Sequence, residues 1–267
     1  MNSSFPVWHE RRREGVVLAC ADFGGVGGSA LLLHGLAGHA GEWTETASWL
    51  SATDRVLAPD QRGHGKSERR PADLSRQAFV DDAAMWVREL AGRSALVIGQ
   101  SLGGHTAFLL AAQYPELVKA LVVAEASPEA DPEAHSVAGD WLRSWPVPFP
   151  SREAALEFFG GYSPWSRAWT EGLEERSDGL WPSFDVDVML ACLDGGARSY
   201  WDEWAAIRCP TLIVRAEHGL SEVNARHMQE LLPNSRVVEV QGARHDLHLE
   251  RPNQWRDLVS RFLAEIA

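Results

Sequence analysis

Short apolar runs recur along the chain, and most are continuous rather than alternating. Val16–Cys20, Ala30–Leu33, Arg55–Ala58, Ala95–Ile98, Ala120–Ala124, Thr211–Val214 and Arg236–Val240 all have this form. Such runs read as strands covered on both faces. Between them lie longer stretches with helical patterning: Glu42–Leu50, Ser75–Leu90, Gly104–Gln113 and Glu222–Leu232. A last helix is expected over Asn253–Ile266, after Pro252. Strand–helix alternation predicts an α/β protein with an open, mostly parallel sheet. No internal repeat of solenoid period interrupts it.

The alternation breaks between Ser127 and Ala206. Seven of the twelve tryptophans fall there (Trp141, Trp145, Trp165, Trp169, Trp181, Trp201 and Trp204), together with seven prolines. A disordered linker would be poor in aromatics. The stretch reads as a helical cap, residues 127–206, inserted into a core made of residues 1–126 and 207–267. "FGGVGGSA" (Phe23–Ala30) is glycine-rich, but a strand follows it. A phosphate loop would need a helix N-terminus there to aim N–H groups at the anion. A hairpin turn is the expectation.

Composition narrows the function. The chain has 267 residues, 45% hydrophobic and 23% charged, with a formal net charge of −12. That balance disfavours nucleic acid and anionic membrane surfaces as partners. The three cysteines, Cys20, Cys192 and Cys209, form no CxxC pair and fit a reducing compartment or simple burial. "MNSSFPVWHERRRE" has no apolar centre and does not read as a secretory signal. No apolar run is long enough for a membrane span. A cytoplasmic protein acting on a small molecule is expected.

The candidate chemistry sits at a corner. Gly99-Gln100-Ser101-Leu102-Gly103 fits G-x-S-x-G between an apolar strand and an apolar helix. A sharp strand-to-helix turn holds such a serine in strained geometry, and small residues two positions either side make room for it. The gain is an exposed Oγ beside a helix N-terminus, which favours developing negative charge.

With this corner, the chain resembles the α/β-hydrolase family over nearly its whole length. "LLLHGLAG" (Leu31–Gly38) is similar to the family's strand and HG oxyanion loop. "DQRGHGKS" (Asp60–Ser67) is similar to its D-x-R-G-x-G-x-S loop, and "GARHDLHLERP" (Gly242–Pro252) to its final G-x-x-H…E-x-P segment. The resemblance implies an eight-stranded, mostly parallel sheet with helices on both faces and an inserted helical cap. It also implies a Ser101 nucleophile and a His245 general base. His34 and His64 fall to loop bracing, as does Asp60. His248, three residues beyond His245, could suggest metal ligation, but no third ligand is in view and no metal is expected.

The acid departs from the commonest family pattern. That pattern places an aspartate after the strand Thr211–Val214, where this chain reads "LIVRAEHGLS", with Ala216 and Gly219 near the expected glycine and aspartate. Some relatives carry the acid one strand earlier. There "LVVAEASPE" puts Glu125 directly after Ala120–Ala124, aimed at the crevice beyond the strand ends. Glu125 is the favoured acid and Glu217 the runner-up, with Asp246 or no acid as further options. A salt bridge from Glu125 to the cap is the plain structural alternative.

The implied reaction is acyl transfer. His245 takes the Ser101 proton, Oγ attacks a carbonyl carbon, and the amides of Leu36 and Leu102 hold the oxyanion. No cofactor is required. A tryptophan-rich cap suits an ester or lactone of an apolar, aromatic or cyclic molecule, with Trp141 and Trp165 lining the pocket and Gln100 and His105 as polar contacts. The same residues could serve a thioesterase, a cofactor-free perhydrolase or a C–C bond hydrolase. A small-molecule receptor on the same fold is the non-enzymatic alternative.

Overall fold

The structure is a computed structural model that describes residues 6–92, 94–129, 132–194 and 198–266. The first five residues of the polar opening stretch lie outside the described residues. The chain opens on β1 (Val7–Arg13) and β2 (Val16–Gly24), which pair antiparallel. β3 (Gly28–Leu33) leads through a 3-10 turn (Ala40–Trp43) into α1 (Thr44–Leu50) and β4 (Asp54–Asp60). α2 (Arg76–Trp86) is capped by Ser75, whose hydroxyl accepts from Ala78 N at 3.3 Å. It ends in a π-helical turn over Val87–Ala91, where sequence patterning predicts continuous helix. β5 (Ala95–Gln100), α3 (Leu102–Gln113) and β6 (Val118–Ala124) follow.

The segment after β6 holds α4 (Pro132–Arg143), α5 (Arg152–Phe158) and α6 (Pro164–Glu171). Next come β7 (Leu173–Arg176), β8 (Gly179–Pro182), α7 (Val186–Asp194) and α8 (Trp201–Ala205). The chain then returns through β9 (Thr211–Ala216), α9 (Glu222–Leu231), β10 (Ser235–Val240), α10 (Leu247–Glu250) and α11 (Pro252–Ile266).

Eight strands form one sheet in the order β1-β2-β4-β3-β5-β6-β9-β10, parallel from β4 to β10. Successive side chains point to opposite faces. Leu31, Leu33, Val97, Leu121, Val123 and Ile213 therefore share one core with α2, α3 and Met228 of α9. Ala30, Leu32, Leu96, Ile98, Val122 and Val214 share the other with Trp43, α1 and α11. Both faces are covered, which is why these strands read as unbroken apolar runs.

Three features depart from the sequence reading. β1 lies in the charged opening stretch; as an edge strand with both faces largely wet, it carries no apolar signal. The Phe23–Ala30 turn is not a hairpin. β2 and β3 do not pair; β4 lies between them, and Gly28 N donates to Thr53 O at 3.2 Å. The segment after β6 is not wholly helical, since β7 and β8 form an antiparallel pair joined by a two-residue turn, Ser177-Asp178, with Gly179 at positive φ opening β8.

β6 and β9, on either side of the long segment, are direct sheet neighbours. The segment therefore leaves from the C-terminal end of β6, and the chain comes back through α8 to enter β9, parallel to β6, from the opposite end. Its aromatics build a third cluster in which Leu142, Trp145, Phe149, Phe159, Trp169 and Met189 pack with Ala37, Phe79 and Leu102. Serine caps start two of its helices: Ser151 on Ala154 N, and Ser163 on Ser166 N with Pro164 in the first turn. α8 behaves differently. Trp204 packs edge-on to Phe108 of α3, and its indole donates to Met228 O at 2.8 Å, so α8 belongs to the layer covering the sheet.

Candidate active site

Ser101 stands between the end of β5 and the first residue of α3, at φ 50° and ψ −116°. The flanking glycines make the corner possible. A Cβ on Gly99 would run into the Gly103 carbonyl, and one on Gly103 into the Leu33 carbonyl. Ser101 N donates to Ala124 O at 2.9 Å, tying the corner to the end of β6. The side chain is partly exposed, above the strand ends.

The His34–Gly38 loop closes over the same corner. A Cβ on Gly35 would lie 3.5 Å from the Ser101 Cβ. His34 is fully buried and commits both ring nitrogens: Nδ1 donates to Gly35 O at 2.8 Å, and Nε2 accepts from Gln61 N at 3.0 Å. Burial, with His64 nearby, holds it well below the usual histidine range. His64 is held down to about 4, chiefly by burial. Asp60 accepts from Ala40 N at 2.7 Å and Lys66 N at 2.8 Å. These three residues brace loops, and Leu36, next to Gly35, and Leu102, next to Ser101, belong to the two chain segments that meet there.

His245 lies in the loop between β10 and α10, its side chain 56% exposed. Its Nδ1 is 3.4 Å from Glu125 Oε2, which leaves Nε2 free to work on another group. Although more than half of the side chain is open, the protein atoms crowded around the ring displace enough water to oppose its charge. The Glu125 hydrogen bond and the charges of Asp246, Glu125 and Glu250 outweigh it, so the group is held above its ordinary 6.5.

Glu125 follows β6 directly, with φ 53° and only 6% exposure. Ala216 N donates to its Oε1 at 2.6 Å, and Leu220 N reaches both oxygens at 3.2 and 3.1 Å. Its carboxylate thus fills the turn after β9, where the commoner pattern would carry an aspartate. A Cβ on Gly219 would overlap that carboxylate, so the glycine in "RAEHGL" is the space Glu125 occupies. Glu217 is exposed and accepts from Gly242 N at 2.8 Å, bracing the turn after β10.

Other candidates take different places. Gln100 is 1% exposed and donates to His245 O at 2.9 Å, so it joins the serine corner to the histidine loop. His105, on α3, packs against Phe108 and Tyr200, and burial with the Arg76 charge holds it down to about 3. Trp141 packs edge-on to Trp145 and Trp169. Trp165 donates its indole N–H to Asp246 Oδ2 at 2.6 Å, and Trp169 reaches the same oxygen at 3.2 Å. Asp246, next to His245, is therefore an anchor for the aromatic segment, a role no local sequence signal announces. His248 is buried, stacked 4.5 Å from Trp43, and held at about 4 by burial. Among the described residues, no three His, Cys, Asp or Glu side chains are placed to hold a metal. None of the described helices is long and apolar enough to cross a membrane.

Comparison with known proteins places this geometry in context. The profile described as the alpha/beta hydrolase family matches residues 30–258. The 2-(acetamidomethylene)succinate hydrolase of Mesorhizobium japonicum is 26% identical over 247 residues, covering 90% of this chain and 89% of its own. A putative 2-succinyl-6-hydroxy-2,4-cyclohexadiene-1-carboxylate synthase of Bacillus subtilis is 27% identical over 273 residues, covering 95% and 97%. Among solved structures, an E-2-(acetamidomethylene)succinate hydrolase superposes with a TM-score of 0.88 at 25% identity, covering 97% of this chain and all of the other.

Proposed function

The chain belongs to the alpha/beta hydrolase family, and from that premise we propose that it is a serine hydrolase cleaving a carboxylic ester or lactone through an acyl-enzyme on Ser101. The observation that carries the reading is the constellation around His245. Nδ1 is engaged by a buried carboxylate at 3.4 Å, and the loop carbonyl is tied at 2.9 Å to the residue preceding a strained, partly exposed serine. A base oriented from one side and free on the other is what an activated hydroxyl requires.

In the first half-reaction His245 Nε2 accepts the Ser101 proton as Oγ bonds to the carbonyl carbon. The negative charge that moves onto the carbonyl oxygen is met by the Leu102 and Leu36 amides. The tetrahedral intermediate collapses, His245 protonates the departing alcohol, and the acyl group stays on Oγ. Water, deprotonated by the same ring, then releases the acid and restores the serine. Glu125 fixes the imidazole tautomer and stabilises the imidazolium. The aromatic segment over the site forms a cap, and its ring cluster favours a substrate with an apolar, aromatic or cyclic portion.

A fluorophosphonate probe should label Ser101 and stop turnover of 4-nitrophenyl esters. Ser101→Ala should lose on the order of 10⁶-fold in kcat. Labelling or turnover that survives this substitution contradicts the assignment. Profiling esters, lactones and thioesters on the active protein ranks the acyl substrates.

A further inference from the structure

Arg76, at the start of α2, is 7% exposed, and its Nε and Nη1 are buried without a hydrogen-bond partner. Among the described residues no carboxylate pairs with it. Its neighbours in the chain show what the fold does elsewhere. Arg62, still more deeply buried, makes two hydrogen bonds to Asp82, at 2.7 and 2.8 Å, while Arg69 and Arg70 pair with Asp185 and Asp187. The chain has 37 acidic residues against 25 basic ones, so acids were available. A guanidinium cannot shed its proton to escape burial, and an unpaired buried charge is strongly unfavourable.

Its position gives the orphan charge a use. Phe79, one turn along α2 and 5.9 Å from the guanidinium, packs in the same cluster as Leu102, the residue after Ser101. On α3, His105 feels the Arg76 charge, and its backbone N–H donates to Ser101 O at 3.0 Å. Cys192 of α7 and Tyr200 lie near enough for their ionised forms to favour the Arg76 charge. His105 Nδ1 is also buried without a partner, so a second polar atom waits in the same place. Arg76 thus lies near His105, which stands one helical turn beyond Ser101, and beside Phe79, which packs in the aromatic cluster.

Building on the hydrolase reading, we propose that Arg76 is a specificity residue that pairs with a carboxylate on the substrate, away from the bond being cleaved. The preferred substrate is then an acidic ester or lactone whose anionic end lies beneath an otherwise aromatic cap. The tryptophan-rich cap alone favours an apolar, aromatic or cyclic ester or lactone over a charged acid, and Arg76 revises that preference.

The test compares mono-4-nitrophenyl glutarate and adipate with the corresponding methyl-capped neutral diesters. The wild type should favour the acids in kcat/KM. Arg76→Met should cut that acid-over-neutral ratio about 10- to 100-fold, as expected for losing a charge-assisted contact. Its thermal midpoint should hold or rise, because a buried unpaired charge is gone. No acid preference, a preference kept in Arg76→Met, or a clear drop in its midpoint overturns the proposal while leaving the hydrolase reading intact. If the wild type turns over no ester, the hydrolase reading fails on its own. Calorimetric binding of glutarate then decides the anion site: binding lost in Arg76→Met supports it, and no binding to wild type overturns it.

Discussion

Four non-glycine residues among the described ones hold positive φ, and three of them, Ala37, Ser101 and Glu125, fall in the loops that converge on the candidate site. Each such conformation costs about 1–3 kcal/mol and persists only where its surroundings enforce it. At Ser101 the enforcement is the pair of backbone approaches behind Gly99 and Gly103. At Glu125 it is the three amide contacts from Ala216 and Leu220. Gly219→Ala should therefore act through Glu125, pushing the carboxylate away from His245 and lowering kcat by about tenfold or more, with circular dichroism unchanged. A fully active Gly219→Ala would show that the close packing there does not matter. Ser101 and His245 were legible in the sequence because their signals are local motifs. Glu125 was legible through two signals together, a missing aspartate after β9 and a carboxylate standing directly after β6. Gln100 and His105 were read as substrate contacts because closeness to Ser101 in the chain does not reveal which way a side chain turns; the first faces the histidine loop and the second the seam with Tyr200.

At the scale of elements, one tie between α6 of the aromatic segment and the histidine loop runs through a half-buried carboxylate. Asp246 accepts from Trp165 and Trp169 of α6 and lies within 3.4 Å of Gln100 Nε2, while standing next to His245. Asp246→Ala leaves two indole N–H groups without their acceptor, at about 1–3 kcal/mol if neither finds water. The thermal midpoint should fall by a few degrees, roughly 2–4 °C per kcal/mol for a chain of this size. Limited proteolysis should cut faster between residues 127 and 206 than in wild type. Unchanged cleavage and midpoint would mean the contact carries no load. The strands covered on both faces were legible because burial imposes unbroken apolar runs. β1 was not, since a wet edge strand has no apolar face to show. α8 was grouped with the aromatic segment by its tryptophans, yet Trp204 serves the sheet, because composition does not reveal which layer a ring enters.

For the molecule as a whole, one sheet with two covered faces fixes the ends of β5, β6 and β9 side by side and suspends the histidine loop beside them. The central claim is that Glu125, and not Glu217, orients His245. His245 is held above its ordinary 6.5, mainly by the Glu125 hydrogen bond working against burial. A raised value means the ring keeps its proton to higher pH, so the neutral base disappears earlier on acidification. The acid limb of kcat/KM in wild type should therefore lie above 6.5. The decisive measurement is the pH–rate profile of wild type, Glu125→Gln and Glu217→Gln on one ester, with circular dichroism to verify folding. Glu125→Gln should lose about 10²- to 10⁴-fold in kcat and move the acid limb to lower pH. Glu217→Gln should stay within about tenfold, as exposed carboxylates contribute little. A crippled Glu217→Gln beside a nearly normal Glu125→Gln with an unmoved acid limb would contradict the account.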